Sequence, residues 1–380
     1  MGLGTIAGLI GGAVLLVVGA EALVRGASRL AAAMGVTPLA IGLTVVAFGT
    51  SAPELAVSVQ GAVGGAGDVA VGNAVGSNVF NLLAILGLAA LTRALVVQQR
   101  IVRLDLPVLL VATLVVWGLA ANGTLGRIEG SLLVAGLLAY TTWVYRASRR
   151  EERGTDTSVT EHGAGSSLAE HSSGHEQGAA DASPDEPRSR RTWPRAAAAI
   201  VLGLAGLVAG AQLLVGAATT IAVAAGVSEL TIGLTVVATG TSLPELATSV
   251  AAAARGQRDI AVGNVVGSNL FNLLGVLGVA ALVSPGGLPI AAEALRTDLP
   301  LSLLATIVVL PCLVTGLLIL RWEGGLLLLA YVGYVTTVVL LGLSHPAGPT
   351  ARVSISIGLV ASTVVVTLIG WWDHRRRRAG

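Results

Sequence analysis

Long apolar runs separated by short polar segments make up most of the chain. Eleven of these runs are long enough to cross a hydrocarbon core of ~30 Å as an α-helix, which needs about 20 residues. They cover residues 3–24, 37–60, 69–91, 104–122, 128–146, 196–222, 230–254, 260–283, 298–318, 323–343 and 353–372. They lack the alternation of apolar and polar residues that marks a strand of a membrane barrel. The pattern therefore predicts an all-α polytopic membrane protein.

Composition strengthens this prediction. Apolar residues make up 54% of the 380 residues, whereas charged residues make up only 12%. This balance is outside the range of soluble domains. We therefore expect the lipid bilayer to be the main partner of the chain, with no nucleic-acid partner and no obligatory protein partner.

One polar segment divides the chain. Residues 151–194 are rich in Glu, Ser, Gly, His and Asp and almost lack large apolar side chains. Because such a segment cannot bury enough apolar surface to fold, it predicts a disordered linker. The linker separates a first half, residues 1–150, from a second half, residues 195–343. Residues 344–380 then add an eleventh helix and a basic tail.

The basic residues predict how the chain is oriented. All 23 are arginines, and basic residues concentrate in cytoplasmic loops. With eleven spans and the N-terminus outside, only Arg127, Arg296 and Arg352 lie outside. The linker and the C-terminal tail are then cytoplasmic. Since exclusive use of arginine suggests a high-GC bacterial genome, we expect a multi-pass protein of the bacterial cytoplasmic membrane.

The two halves contain an internal repeat. Residues 41–60 match residues 232–251 at 16 of 20 positions, and residues 68–91 match residues 259–282 at 18 of 24. Each half therefore holds five predicted helices. An odd number of crossings makes the second half enter the membrane from the opposite side, so the repeats are inverted, as in many transporters.

The best-matched segments carry polar residues in the middle of apolar spans. The second span contains Thr50, Ser51, Pro53 and Glu54, which recur in the seventh span as Thr241, Ser242, Pro244 and Glu245. Proline removes a backbone donor and clashes with the preceding turn, so both helices should break there, freeing carbonyls near Ala47 and Ala238. Freed carbonyls beside hydroxyls and a carboxylate predict an oxygen-lined cation site.

Two carboxylates at the middle of a bilayer need compensation. The inverted halves should bring Glu54 and Glu245 together, and they repel each other unless cations or protons neutralise them. The third and eighth spans add Ser77 and Asn81, and Ser268 and Asn272, at helical spacing. Such hard oxygen ligands suit sodium and calcium rather than zinc or copper.

These motifs resemble a known family. GTSAPEL with GNAVGSNVFN, and GTSLPEL with GNVVGSNLFN, look like the two alpha-repeats of the sodium/calcium exchanger family of the cation/calcium antiporter superfamily. The resemblance implies a ten-helix core in which the second, third, seventh and eighth helices surround the ions. It also implies that Glu54 and Glu245 are the principal calcium ligands, helped by Thr50 and Thr241.

The resemblance also implies flanking sodium sites. Their members would be Ala47, Ser51, Ser77, Ala238, Ser242 and Ser268, with Asn81 and Asn272 at the centre. Asn272 departs from exchangers that have Asp there, so the centre holds two acids. The implied function is exchange of Na⁺ for Ca²⁺ by alternating access, in which the first and sixth helices move against the core.

Other functions fit the residues less well. Proton/calcium exchange could use the same two carboxylates, although the hydroxyl-rich GTSxPEL motif favours sodium. A passive channel is disfavoured by inverted repeats with broken helices. An enzyme is disfavoured because the spans offer no nucleophile–base pair and no metal-binding His motif. We therefore expect no catalytic residue and no cofactor beyond the transported ions.

Overall fold

The computed structural model describes residues 3–163, 188–224, 238–292, 294–314 and 317–342, together with position 350 and residues 353–354 and 357–358. Almost all of this described part is helical. Ten helices, several of them broken into segments, overlap the first ten predicted spans. The predicted eleventh span, 353–372, lies almost entirely outside the described residues.

The helices of the first half are labelled α1 to α5. They are α1, Leu3–Met34; α2, with segments Pro38–Ile41, Gly42–Val46, Ala47–Thr50 and Ala52–Val63; α3, with Gly67–Val79, Phe80–Ile85 and Leu86–Thr92; α4, with Ile101–Asp105, Leu106–Leu119 and Ala120–Asn122; and α5, Arg127–Gly163. Two short strands connect them, β1 at Leu95–Val96 and β2 at Thr124–Leu125.

The second half repeats this order. Its helices are α6, Arg188–Ala224; α7, with described segments Ala238–Thr241 and Leu243–Ala254; α8, with Arg258–Leu270, Phe271–Val276 and Leu277–Val283; α9, with Ala294–Asp298 and Leu299–Val314; and α10, Arg321–Gly342. The strands are β3 at Leu288–Pro289 and β4 at Leu318–Ile319.

The helices have the length and hydropathy of membrane spans. Among the described residues, seven are long and apolar enough to cross a bilayer. The two parts of α2 form an eighth crossing if they are taken as one span bent by 46°. The predicted all-α polytopic membrane fold is therefore confirmed.

Strand pairing shows how the two halves are related. β1 pairs with β4, and β2 pairs with β3, both antiparallel. β1 precedes α4 and β4 follows α9, so the start of α4 lies beside the end of α9. The other pair joins the end of α4 to the start of α9. The equivalent helices α4 and α9 therefore run in opposite directions, as expected for inverted repeats.

Glycines let helices of opposite halves approach closely. A Cβ atom on Gly87 of α3 would lie 2.8 Å from the Gly324 carbonyl oxygen of α10, and one on Gly278 of α8 would lie 3.1 Å from the Gly130 carbonyl oxygen of α5. These two contacts are equivalent under the repeat. Small residues at such crossings allow close van der Waals packing, which drives association of helices within a membrane.

The break in α2 lies at Ser51, two residues before Pro53, and α7 breaks in the same way at Ser242. Both serines have ψ of 8°, which ends the preceding helical turn. The predicted breaks are therefore present. Freed carbonyls were predicted near Ala47 and Ala238, and the Ala47 oxygen itself is not free, because it accepts the Ser51 N–H at 3.0 Å. Proline removes the bond to the residue four positions earlier, and for Pro53 that residue is Gly49.

The ends of the predicted linker are helical. α5 continues to Gly163 and α6 begins at Arg188, so the prediction of disorder over 151–194 is wrong at both ends. Arginine and glutamate are good helix formers, and an established helix extends at little cost. Residues 164–187 lie outside the described part, where the predicted disorder is untested.

Candidate functional site

Glu54 lies in the first turn of segment Ala52–Val63 of α2, and Glu245 lies in the first turn of segment Leu243–Ala254 of α7. Both glutamates are completely buried. Each carboxylate is held by a serine of the opposite half. Ser242 Oγ donates to Glu54 Oε1 at 2.7 Å, and Ser51 Oγ donates to Glu245 Oε1 at 2.8 Å. The helix breaks place these serines, so the site is assembled from both repeats.

The second oxygen of each carboxylate lacks a donor. Among the described residues, no hydrogen bond reaches the buried Glu54 Oε2 or Glu245 Oε2, and neither glutamate forms an ion pair. A buried charge without a partner costs several kcal/mol. Two unpaired carboxylate oxygens can therefore take up cations, which would supply the missing interactions.

Two asparagines fix the broken helices. Asn73 Nδ2 donates to the Glu54 carbonyl at 3.0 Å and to Ser58 Oγ at 3.0 Å. Its Oδ1 accepts the hydroxyl of Thr241 at 3.3 Å. Asn73 therefore connects α3 to the break in its own half and to Thr241 of the other half.

Asn264 has the equivalent role in the second half. It donates to the Glu245 carbonyl at 3.4 Å and to Ser249 Oγ at 2.9 Å, and it accepts the Thr50 hydroxyl at 3.2 Å. Ser58 and Ser249 were not among the residues predicted for the site. The sequence could have indicated them, because both serines recur at the repeat offset of 191 within the matched segments.

Four buried asparagines line the centre between α3 and α8. Asn81 Nδ2 donates to Asn269 Oδ1 at 3.1 Å, and Asn272 Nδ2 donates to Asn78 Oδ1 at 3.1 Å. These bonds use the amide hydrogens of Asn81 and Asn272. Within the described part of the chain, their carbonyl oxygens have no partner, so both predicted central residues present a free oxygen of the kind that coordinates Na⁺ or Ca²⁺.

The remaining predicted ligands are Ser77, Ser268, Ala47 and Ala238, and their surroundings differ. Ser77 Oγ lies 3.0 Å from Ser242 Oγ, next to Glu54. Ser268 is buried and its hydroxyl has no partner among the described residues. The Ala47 carbonyl accepts the Thr50 hydroxyl at 3.4 Å in addition to the Ser51 N–H. Ala238 is the first described residue of α7, and the chain before it lies outside the description.

A family profile described as sodium/calcium exchanger protein matches residues 4–146 and 195–340, which together are most of the chain. The chain belongs to the sodium/calcium exchanger family. The resemblance seen in the sequence is therefore confirmed. The match includes both halves and omits the polar segment between them.

Several relatives of this exchanger cover most of its length. CaxA of Alkalimonas amylolytica is 39% identical over 288 residues, which are 75% of this chain and 83% of CaxA. The inner membrane protein YrbG of Escherichia coli K12 is 38% identical over 240 residues, 62% of this chain and 67% of YrbG. A solved structure of the sodium-calcium exchanger NCX_Mj has a TM-score of 0.70 and 27% identity, covering 87% of this chain and 97% of that chain.

Family membership determines the general activity of the exchanger. It is a multi-pass membrane transporter that carries out cation/Ca²⁺ antiport. The buried, oxygen-lined site between the two repeats has the ligand chemistry that this activity requires.

Proposed function

We propose that this exchanger moves Ca²⁺ and Na⁺ in opposite directions across a bacterial cytoplasmic membrane by alternating access. The observation that carries the proposal is the pair of buried glutamates from opposite halves. In each, one oxygen accepts a hydrogen bond from a serine and the other has no hydrogen-bond partner within the described ranges. One Ca²⁺ or two Na⁺ would neutralise the two carboxylates.

The proposed ligands are those expected from the sequence. Glu54 and Glu245 bind Ca²⁺ with the help of Thr50 and Thr241. The surrounding sodium ligands and central oxygens are those of Ala47, Ser51, Ser77, Asn81, Ala238, Ser242, Ser268 and Asn272. Neutral hydroxyl and amide oxygens outnumber the carboxylates in this set, which favours a monovalent cation as the ion that alternates with Ca²⁺ at the site.

Coupling follows from the charge of the site. An empty site would carry two uncompensated charges in a low-dielectric environment, so reorientation without ions is unfavourable. Because Ca²⁺ and Na⁺ need the same carboxylates, one species must leave before the other binds. Competition for Glu54 and Glu245 therefore gives exchange rather than leak.

Protons are the alternative coupling ion. A proton on each carboxylate would also satisfy the unpaired oxygens of Glu54 and Glu245, and H⁺/Ca²⁺ antiport is the second candidate function. The side-chain oxygens of Asn81, Asn272 and Ser268, which have no hydrogen-bond partner among the described residues, favour sodium over protons. A sodium ion needs several oxygen ligands, whereas a proton bound to a carboxylate does not need these additional acceptors.

The deciding experiment is Ca²⁺ uptake into proteoliposomes loaded with either Na⁺ or a matched acidic buffer. Outward Na⁺ and outward H⁺ gradients are compared at the same membrane potential. Sodium coupling predicts uptake that follows the Na⁺ gradient and persists when the pH is equal on both sides. Uptake that follows only the H⁺ gradient would replace the proposal with proton exchange, and uptake without any counter-ion would indicate a channel.

The proposed topology has the N-terminus outside and the linker and C-terminal tail in the cytoplasm. It comprises the two inverted halves 1–150 and 195–343, the linker 151–194 and an eleventh helix within 344–380. Its support is the segregation of arginines, which leaves only Arg127, Arg296 and Arg352 outside. Accessibility of single cysteines introduced at Arg127 and Arg146 to a membrane-impermeant reagent tests it, after Cys312→Ala has removed the single native cysteine.

A further inference from the structure

A strongly basic cavity lies away from the ion site, where the C-terminal part of α1 meets the end of α7. Its volume is about 340 Å³. It is lined by Val24, Arg25, Ser28, Arg29, Arg255 and Gln257. Three of the six lining residues are therefore arginines. Antiport of cations does not require a positively charged cavity. The bias of arginines toward one face of the membrane explains that they lie at this end of the helices, but not that three of them converge on one cavity.

The cavity has an excess of positive charge. Glu21 accepts hydrogen bonds from both Arg25 and Arg255, whereas Arg29 forms no ion pair among the described residues. The three arginines and one carboxylate leave two positive charges uncompensated. A further guanidinium lies at the edge, since a Cβ on Gly256 would be 3.0 Å from Arg93 Nη1. A phosphate group has the charge to balance this excess.

The arginines of the cavity are accessible to a ligand from outside the protein. The side chain of Arg25 is 56% exposed and that of Arg255 is 34% exposed. Both follow directly after the predicted spans 3–24 and 230–254, which predicts a position for the cavity near the lipid headgroups. The planar guanidinium matches two phosphate oxygens at once, which makes arginine well suited to this ligand.

The other half of the protein provides an internal comparison. At the repeat offset of 191, the positions of the cavity arginines and Glu21 are occupied by uncharged residues, namely Gly216, Thr220, Gly64 and Gln212. The same helix order is thus built without arginines at these positions. Helix packing therefore does not require the basic cavity. The counterpart positions lie at the opposite face of the membrane in an inverted repeat, so the cavity is a feature of one face alone.

We propose that the cavity at the α1–α7 junction binds a phosphate group, supplied either by an anionic lipid headgroup or by a soluble phosphate. Arg25, Arg29 and Arg255 contact the phosphate. Glu21 competes with it for Arg25 and Arg255. The proposal does not depend on which ion drives Ca²⁺ transport.

The first test is native mass spectrometry of the full chain in detergent with added phosphatidylglycerol or phosphatidylcholine. We expect a one-to-one complex with phosphatidylglycerol. Each of Arg25→Gln, Arg29→Gln and Arg255→Gln should weaken it about fivefold, because one basic side chain near a membrane surface is worth about that factor. Glu21→Gln should strengthen it by a similar factor. Arg146→Gln, which removes an exposed arginine outside the cavity, should have no effect.

A second measurement distinguishes the two sources of phosphate. Inorganic phosphate is titrated against the wild type and Arg29→Gln without lipid, by calorimetry. Binding at millimolar phosphate that Arg29→Gln weakens would support the cavity and identify a soluble ligand. Binding of phosphatidylglycerol alone would identify the lipid headgroup.

The proposal is overturned if phosphatidylcholine binds as tightly as phosphatidylglycerol and phosphate does not bind, or if Arg146→Gln weakens binding as much as Arg29→Gln. Weaker binding by Glu21→Gln would also overturn it. Arg29 has no ion-pair partner among the residues that the structure describes, so Arg29→Gln tests the proposal even if Arg255→Gln fails to fold. Ca²⁺ uptake in phosphatidylcholine vesicles shows which variants are folded.

Discussion

The centre and the ends of the molecule obey the repeat to different degrees. At the centre, each hydrogen bond from a serine to a glutamate has a counterpart of nearly the same length in the other half, 2.7 Å and 2.8 Å. At the ends, the arginines around the α1–α7 cavity have glycine and threonine as counterparts. The repeat is therefore preserved in detail at the site that both halves form together, and it is lost in the side chains around this cavity.

This difference separates two physical requirements. A site that opens alternately to both sides of a membrane needs similar ligands from both inverted halves, because each half faces one side. The helix ends at the two faces of the membrane meet different surroundings, because anionic lipids are concentrated in the cytoplasmic leaflet. Variants that change one half at a time can therefore test where the symmetry matters.

The largest effect is expected for the glutamates. Glu54→Gln and Glu245→Gln should each reduce Ca²⁺ uptake by about 100-fold or more, because calcium affinity depends steeply on the number of charged ligands. Initial rates in proteoliposomes measure this. Glu129→Gln, which removes a carboxylate of α5 outside the site, should transport normally. Full exchange by either glutamine variant would show that the two halves do not share one site.

A smaller and unequal effect is expected for the serines. Ser51→Ala and Ser242→Ala each remove a hydrogen bond to a carboxylate, which is worth about 1.5–3 kcal/mol, so the Ca²⁺ concentration for half-maximal uptake should rise about tenfold or more. Ser242 also contacts Ser77 at 3.0 Å, so Ser242→Ala should have the larger effect. A larger effect of Ser51→Ala would contradict this difference between the halves.

The asparagines that fix the breaks should affect stability. Asn73→Ala removes two donated hydrogen bonds, to the Glu54 carbonyl and to Ser58, and should lower the free energy of unfolding by about 1–3 kcal/mol. Asn264→Ala should cost slightly less, because its bond to the Glu245 carbonyl is longer, at 3.4 Å. Thermal unfolding in detergent measures both variants. Equal melting temperatures for both variants and the wild type would exclude this role.

A similar or smaller effect on stability is expected at a helix crossing, because the neighbouring helix can shift to relieve the overlap. Gly87→Ala places a Cβ 2.8 Å from the Gly324 carbonyl oxygen, and such overpacking costs about 1–3 kcal/mol before relaxation. Gly136→Ala is the matched control, because nothing lies within 4 Å of its added Cβ and the equivalent residue of α10 is Ala330. Thermal unfolding should distinguish the two, and equal melting temperatures would contradict close packing at Gly87.

Much of this architecture could be predicted from the sequence. The duplicated GTSxPEL segments were sufficient to predict paired broken helices, because a proline in an apolar span removes a backbone bond wherever it occurs. The odd number of spans in each half was sufficient to predict inversion. Both predictions use chemistry that is local to the chain or a simple count of crossings.

The contacts between the halves could not be predicted in the same way. Ser51 lies three residues from Glu54 in sequence, yet its hydroxyl bonds Glu245 of the other half. Likewise, Arg25 lies one helical turn from Glu21 and pairs with it, whereas the second partner of Glu21, Arg255, comes from α7 of the other half. Such partners depend on how distant helices pack against each other, and the periodicity of one segment does not predict that packing.

The reciprocal exchange of serines between the halves has a consequence for how the protein is made. Residues 1–150 leave the ribosome first, and the N-terminal part of a chain generally folds first. At that stage Glu54 has no Ser242, and β1 and β2 have no partner strands. Until the second half is inserted, Glu54 therefore lacks its hydrogen bond from Ser242. Completion of the ion site is a late event in biogenesis, and a chain truncated after the first half should be a substrate for membrane proteases.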